Sequence, residues 1–431
     1  MSTTTEKPTI STSLIESLDL GKFSIAKEQR KKAFEAFKTT GFPEAKSEEY
    51  KFTPVTRLLT KHFSAEELST QTVANKSVKE LLHPEFSENR VVFVNGIYSQ
   101  TLSSITTDSK VTIQSLDEAL TSNPSLLFDQ LNINDPFALL NSTLWSDGLY
   151  INVPKKVEEK KPLFIHHLHD ASSEKVSVHT KLFITVGESA SLEIIEKTDT
   201  LGDQPVFHTI SEEIIVGENA SFNYCKIQND AGQLIQVANT TIQQHNSSRA
   251  DTFTFTLNGK LIRNNLNIII DGEGCESHFY GLYLTDGDTL VDNHTTVDHK
   301  KPNSFSNELY KGLMDGKSKG VFNGKIYVRP HAQKTNAFQS NRNLLLSDDA
   351  TVNTKPQLEI WADDVKCSHG CTTGQLDEEA LFYLQSRGIP KATAKAMLLY
   401  AFAGEVLDTI KNEQLKNYID SIVSERLHKS Y

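Results

Sequence analysis

Short segments rich in β-branched and aromatic residues dominate the chain from about residue 148 to residue 350. SVHTKLFITVG, DTFTFTLNG and HFYGLYLTDG are examples, and Gly, Asn and Asp separate such segments from one another. This composition and length are typical of β-strands, and the separators are typical of turns. No helical pattern intervenes over roughly two hundred residues, so the middle of the chain is predicted to be β structure.

An internal repeat narrows the architecture of this β region. ITVGESASLEI begins at Ile184 and IIVGENASFNY begins at Ile214, an offset of thirty residues with six identical positions out of eleven. Looser copies begin at Ile269 and Leu345. Self-similarity at such a period predicts a β-solenoid, in which each turn buries its apolar face only against its neighbours. A β-sandwich with recurring turns is the alternative.

Helical patterns lie on both sides of the β region. Near the N-terminus IAKEQRKKAFEAFKTT reads as an amphipathic helix, and RVVFVNGIYS predicts a hairpin with Asn95 and Gly96 in its turn. Near the C-terminus Asp377 is a predicted helix cap, and KATAKAMLLYAFAGEVLDTI is strongly helical. We predict an N-terminal helical domain with a small hairpin over 1–147, a β core over 148–375 and a C-terminal helical domain over 376–431.

Charge and composition exclude some classes of partner. The net charge of −11 argues against a nucleic-acid partner held by a broad basic surface. No apolar run approaches the ~18 residues that suggest a membrane span. The first twenty residues have neither a basic region nor an apolar one, and four cysteines do not form a secreted disulfide framework. The sequence therefore predicts a cytoplasmic protein without a membrane partner.

The stretch KCSHGC places Cys367, His369 and Cys371 within five residues, and all three would face the same way in a strand. Thiolate and imidazole both bind soft transition metals. A structural zinc site normally needs a second pair of ligands at similar spacing, and the chain offers none. From these residues alone, two interpretations stay open: half-buried cysteines at a strand end, or donors presented to something outside this chain.

GLMDGKS, residues 312 to 318, invites comparison with a nucleotide-binding P-loop. That loop has four residues between its glycines, so that successive N–H groups wrap the phosphates. Here only three intervene, and Asp315 would bring a negative charge close to a phosphate. A turn between two strands is the favoured interpretation.

DNHTTVDHKKP contains Asp292, His294, Asp298 and His299. In a strand the first three face one way and His299 the other. A bound metal is conceivable, but we favour polar side chains on the outer face of the solenoid that are solvated or form ladders between turns.

The two remaining cysteines, Cys225 and Cys275, are isolated in strand-like segments. A lone cysteine in a strand usually serves as a small buried hydrophobic side chain, and we predict that role for both.

Three stretches resemble one known family. DDVKCSHG followed by TTGQLDEEALFYLQSRGIP is similar to the C-terminal signature of the SufD proteins, components of Suf iron–sulfur cluster assembly. SEEYKFTPV, residues 47 to 55, resembles the N-terminal signature of the family, and LVDNHTTVDHKKPNSFSNELYKG with QSNRNLLLSDDA resembles its core motif. The paralogous SufB proteins carry K-C-E-H at the corresponding motif and a cysteine-rich N-terminal element. This chain has no cysteine before Cys225, so SufD is the better match.

The resemblance implies a mainly β fold: a right-handed parallel β-helix flanked by helical domains. It implies pairing with a SufB-like scaffold protein and with a SufC-like ABC-type ATPase, which the C-terminal helices would contact. His369 matches a candidate iron or cluster ligand at the SufB–SufD interface, and Cys367 matches the cysteine of the same motif. Cys371 departs from the family pattern and receives no role. Iron or a nascent iron–sulfur cluster would be held transiently, with no permanently bound cofactor.

The resulting hypothesis is a non-catalytic subunit that supports iron acquisition and cluster assembly in the Suf scaffold. A purely structural ATPase partner without an iron role is one alternative. A carbohydrate-active β-helix enzyme is the other, and it would predict a secretory signal. The isolated chain could also form a homodimer through a shared sheet edge.

Overall fold

The computed structural model describes residues 9–23, 25–106, 109–123, 126, 135–230 and 232–430. The strands, in chain order, are β1 Arg90–Val94, β2 Ile97–Tyr98, β3 Thr112–Ser115, β4 Asp147–Val153, β5 Leu163–Ala171, β6 Val176–Val186, β7 Ser191–Gly202, β8 Pro205–Val216, β9 Ser221–Asn229, β10 Gln233–Gln244, β11 Arg249–Asn258, β12 Leu261–Ile270, β13 Glu276–Thr285, β14 Leu290–His299, β15 Phe305–Met314, β16 Lys319–Val328, β17 Thr335–Leu345, β18 Thr351–Ile360 and β19 Val365–Gly374.

The helices pack outside these strands. They are α1 Ile10–Ser17, α2 Lys27–Thr40, α3 Val55–His62, α4 Ala65–Ser69, α5 Leu116–Ser122, α6 Pro136–Leu144, α7 Glu378–Ser386, α8 Lys391–Leu407 and α9 Glu413–Ser430. Among the described residues no helix is long and apolar enough to cross a lipid bilayer.

The strands form two stacked sheets, and from β4 onward successive strands alternate between them. One sheet has the order β19-β17-β15-β13-β11-β9-β7-β5-β1-β2, and the other has the order β18-β16-β14-β12-β10-β8-β6-β4-β3. From β4 onward all neighbours within each sheet run parallel, as Ile184↔Ile214 and Ile195↔Cys225 illustrate. The chain therefore winds as a solenoid, which confirms that prediction and makes the β-sandwich alternative wrong.

The recurring turn formula has a conformational cause. Ser189, Asn219 and Ser247 take the same corner in successive turns, with φ of 55°, 54° and 54°. Their N–H groups donate to carbonyls of the next turn at 2.8 to 2.9 Å. Short polar residues tolerate this left-handed conformation, so the repeat conserves the corner that stacks one turn on another.

The outer faces of the two sheets are covered by different helices. The C-terminal helices α8 and α9 lie on the sheet of odd-numbered strands from β5 to β19. There Leu399, Val406 and Ile419 pack in one apolar cluster with Phe255 and Leu282. The N-terminal helices lie on the other sheet, where their apolar side chains pack against residues of β8, β10, β12 and β14. Helices therefore cover both broad faces of the solenoid.

The two ends of the solenoid differ. At one end the antiparallel strands β2 and β3 complete the two sheets, and β1 of the predicted hairpin also pairs in parallel with β5. At the other end, within the part of the chain that the structure describes, β18 and β19 each have a strand neighbour on one side only. The helix after β19 begins with the predicted cap, since Asp377 accepts hydrogen bonds from the N–H groups of Glu379 and Ala380. The division into three domains stays a prediction.

Candidate functional site at the open end of the solenoid

The strand β19 carries the predicted row of donors at the open end. Cys367 packs against the core between the sheets, and the Thr354 hydroxyl of β18 lies 3.4 Å from the Cys371 sulfur. Both contacts place the row on the inner face of β19, with His369 between the two cysteines. The prediction that the three side chains share one face is confirmed.

The three donors differ in exposure. Cys367 is half-buried, and this burial raises the pKa of its thiol, so the thiol form is favoured until a metal or a cation binds. Cys371 and His369 are exposed. The row therefore offers one shielded sulfur, one accessible sulfur and one accessible imidazole.

A polar ladder lies directly beneath His369. In the sheet register Glu308 of β15 is paired with Gln339 of β17, and Gln339 is paired with His369 of β19. The Gln339 side-chain amide donates to the Glu308 carboxyl at 2.7 Å, and both side chains are buried. Burial raises the pKa of Glu308 to about 7, above the ordinary range of a carboxyl group. Gln339 Oε1 has no hydrogen-bond partner among the described residues.

A second network fixes the neighbouring layer. Asn341 donates to the Tyr283 hydroxyl at 3.1 Å, and Asn343 donates to Asn341 at 2.7 Å. The Tyr310 ring is accommodated because Gly281 has no side chain: a Cβ there would lie 2.2 Å from the ring. Fully bonded buried networks rigidify their surroundings, so the floor under β19 is held in one arrangement.

The open end presents donor types that suit a soft metal, but these donors do not complete a four-ligand site by themselves. Two of the four cysteines, Cys225 and Cys275, are buried elsewhere in the solenoid, which leaves two thiols and one imidazole at this edge. Clusters are commonly held by four ligands, with imidazole as an occasional substitute for thiolate. A cluster at this edge would need at least one further ligand from outside the chain.

The other candidate motifs take structural positions. Asp315 lies in the tight turn between β15 and β16, as predicted for GLMDGKS. Cys225 and Cys275 are buried, and burial raises the pKa of both thiols, which agrees with the predicted role of small apolar side chains.

The burial of Asp292 differs from the prediction that its side chain is solvated. The side chain faces outward on β14, but it is fully buried by the N-terminal segment rather than solvated. Arg263 donates to it at 2.6 Å and Thr53 also bonds to it, while His294 lies 3.0 Å away. The predicted ladder between turns is present, because Arg263 and Asp292 belong to adjacent strands. His299 faces inward instead and contacts the Ser306 hydroxyl at 2.9 Å.

Four polar residues beneath the open end are not among the predicted site residues: Gln339, Asn341, Asn343 and Glu308. The first three alternate in FQSNRNLLL, and the spacing of two is the signal that places them on one face of a strand. Which face that is, and that Glu308 lies in the same column, depends on the pairing of strands about thirty residues apart.

Comparisons with known proteins agree with this architecture. The family model described as "SUF system FeS cluster assembly, SufBD core domain" matches residues 168–402, and the model described as "SufBD protein N-terminal region" matches residues 12–165. The chain belongs to the SufBD family of the SUF system of iron–sulfur cluster assembly.

Individual relatives agree over nearly the whole length. The chain is 34% identical to the iron-sulfur cluster assembly SufBD family protein slr0076 of Synechocystis, over 93% of this chain and 91% of that protein. It is 32% identical to the iron-sulfur cluster assembly protein SufD of Escherichia coli, over 90% of each. It is 27% identical to protein ABCI7, chloroplastic, of Arabidopsis thaliana, over 90% of this chain and 83% of that protein. The predicted resemblance to SufD is confirmed.

Proposed function

We propose that this chain is a non-catalytic subunit of the Suf scaffold, and that it shares a nascent iron–sulfur cluster with a SufB-like partner at the β18–β19 edge. The observation that supports this most directly is the position of Cys367, His369 and Cys371 on a strand that has one free side. Donors on such an edge are completed by a second chain without any rearrangement of the first.

The free edge also supplies backbone groups for pairing. An unpaired strand presents a row of N–H and C=O groups that another strand can use. β18 carries Pro356, which lacks an N–H, whereas β19 contains no proline. We infer that β19 is the main pairing strand, and that the same edge accounts for a homodimer of the isolated chain.

In this proposal His369 binds iron through a neutral ring nitrogen, and Cys367 contributes a thiolate once metal is present. Gln339 is paired with His369 in the sheet register and has a free amide oxygen, and it would orient the ring by accepting a hydrogen bond from the N–H of the other ring nitrogen. The cluster is cargo that is assembled and passed on, since the donors of this chain alone are too few to retain it.

The C-terminal helices offer a separate surface for a SufC-like ATPase. Phe382 and Tyr383 on α7 are 72% and 57% exposed, and Met397 and Tyr400 on α8 are also exposed. Exposed aromatic and methionine side chains are typical of protein interfaces. ATP turnover in that partner would move this chain and its SufB-like partner relative to each other; the proposed location is the cytoplasm.

The test is His369→Ala in the complete complex. We expect lower cluster yield after anaerobic reconstitution with iron and sulfide, followed by absorbance, with unchanged co-purification of the SufB-like and SufC-like partners. His331→Ala, at an exposed histidine in a turn, is the matched control and should leave both unchanged. A normal cluster yield from His369→Ala would remove the ligand role and favour a purely structural partner of the ATPase.

A further inference from the structure

A second group of metal-ligating side chains lies far from the open end. His83 is in the loop before the short 3-10 turn Pro84–Phe86, His166 is on β5 and Asp199 is on β7. One ligand atom from each of the three lies within 4.8 Å of the others. β5 is separated from β19 by seven strand spacings, or about 34 Å at ~4.8 Å per strand, so this group is distinct from the row on β19.

The three side chains converge on one carboxylate oxygen. Asp199 Oδ2 is 2.7 Å from His166 Nε2 and 3.1 Å from His83 Nε2. Two ligand atoms bound at about 2.1 Å and at a right angle lie about 3.0 Å apart, so these separations suit adjacent positions around a single metal ion. Little movement would be needed for a metal ion to replace the protons between these atoms.

A fourth residue supports the ligand role of His83. Its other ring nitrogen, Nδ1, lies 3.2 Å from Glu85 Oε1. A neutral imidazole has one N–H and can donate to one carboxylate only, yet this ring faces carboxylates on both sides. A metal at Nε2 resolves the conflict, because Nδ1–H then donates to Glu85 in the arrangement common for metal-bound histidine.

The surroundings are partly apolar and admit solvent from one side. His166 is fully buried, whereas the side chains of His83 and Asp199 are 23% and 17% exposed. The rings of Phe164 and Tyr418 lie 5.0 Å from His166 and 5.6 Å from His83. The walls therefore fix the imidazoles while the exposed side leaves room for additional ligands.

One positive charge opposes a cation here. Lys197 forms an ion pair with Asp199, but it contacts Oδ1 and leaves Oδ2 to the two histidines. The carboxylates of Asp199 and Glu85 together outweigh this single ammonium group. His166 Nδ1 has no partner among the described residues, and an N–H there would need a water molecule.

We propose that His83, His166 and Asp199 form a binding site for a divalent first-row transition metal ion, with Glu85 as a positioning residue behind His83. Two imidazoles and one carboxylate form the ligand set found in mononuclear non-haem iron(II) sites, and the same donors bind zinc(II) and cobalt(II). This site goes beyond the proposed cluster function and does not depend on it. The alternative is a metal-free hydrogen-bonded triad.

The experiment is a titration of the full-length, chelator-treated chain with cobalt(II) under anaerobic conditions, followed by visible absorbance, and then a competition with iron(II). We expect one cobalt(II) per chain at this site. His83→Gln, at a partly exposed position, should weaken binding at least about tenfold, as should Asp199→Asn. Glu85→Gln should weaken it about tenfold, and Lys197→Met should tighten it by removing a competing charge.

Two controls separate this site from other sites and from misfolding. His331→Gln at an exposed turn and His369→Ala at the open end should both retain the cobalt(II) spectrum. Melting temperatures measured without metal show whether a variant is folded. If Asp199→Asn does not fold, the test depends on His83→Gln. A His83→Gln chain that binds cobalt(II) as tightly as the parent, or a parent that binds none, overturns the site in favour of the metal-free triad.

Discussion

The middle of the solenoid and its open end both direct polar side chains into the space between the two sheets, but they satisfy those groups in opposite ways. In the middle, Lys226 of β9 lies 3.1 Å from Glu196 and 2.8 Å from Glu212, and Tyr224 bonds to both carboxyl groups. His167 adds a contact of 2.8 Å to Glu196. At the open end the donors of β19 have few partners within the chain.

In the middle of the solenoid, folding of the chain therefore determines which charged groups are paired. Burial opposes ionisation of Glu196, but the charge of Lys226 and the hydrogen bond from His167 outweigh it and lower the pKa. The pKa of Glu212 is raised by burial and by the charge of Glu196. At the open end the described residues do not supply such partners, so the donors of β19 stay accessible. Polar groups inside this solenoid are thus satisfied by one another where they are enclosed and left accessible where the stack of turns stops.

The substitution Lys226→Met tests this contrast with the largest expected effect. The substitution leaves two buried carboxyl groups without their common cation, and such a loss typically costs about 3–5 kcal/mol. We expect the free energy of unfolding, measured with urea, to fall by about that amount. Lys366→Met, at an exposed position of β19, is the matched control and should change it by less than about 0.5 kcal/mol. Equal effects at the two positions would contradict the distinction.

The substitution Glu308→Gln tests a buried carboxyl group that lies between the middle of the solenoid and its open end. The pKa of Glu308 is raised from 4.5 to about 7 by burial, so the folded chain retains a proton that the unfolded chain releases. Stability should therefore fall as pH rises from about 4.5 to about 7 and then stay level. Glutamine removes this fall, and it should stabilise the chain above pH 7 by roughly 3 kcal/mol.

Unfolding measured as a function of pH tests this expectation. Glu359→Gln, at an exposed position on β18, is the control and should leave the pH dependence unchanged. A Glu308→Gln chain that still loses stability between about pH 4.5 and pH 7 would assign that loss to another group.

The smallest expected effect concerns the free edge itself. Asn336 donates its N–H toward β15, to the Ser304 carbonyl, so by alternation the odd-numbered residues of β19 direct theirs away from β17. Thr373→Pro removes one such donor. We expect affinity for the proposed SufB-like partner to fall about tenfold, which corresponds to roughly one backbone hydrogen bond. Thr373→Ala should bind normally in the same equilibrium measurement, and identical affinities would place the interface elsewhere.

Much of the fold could be predicted because its signals are local. The strand composition, the thirty-residue repeat beginning at Ile184 and Ile214, and the helix cap at Asp377 are all visible without knowing which strands pair. The shared face of Cys367, His369 and Cys371 also follows from strand periodicity alone. The structure confirms each of these predictions.

Other features required contacts between distant residues. The sequence predicts that Asp292 is solvated or bonded to a neighbouring turn. Its side chain is buried by a segment that lies more than two hundred residues earlier in the chain, at Thr53. Likewise His83, His166 and Asp199 carry no common motif, because their spacing in sequence is irregular. They meet only because β5 and β7 are neighbours and the loop before β1 crosses their outer face.

The sequence by itself determined the repeating unit, the alternation of side chains along each strand and the donor residues carried by the last strand. Those properties depend on backbone periodicity and on turn residues, which act over a few positions. The tertiary structure decided which polar groups are enclosed, which carboxyl groups have a raised pKa, and which histidines approach a carboxylate. Burial and pairing depend on what is stacked above and below each residue, and the stacking of turns about thirty residues apart determines both.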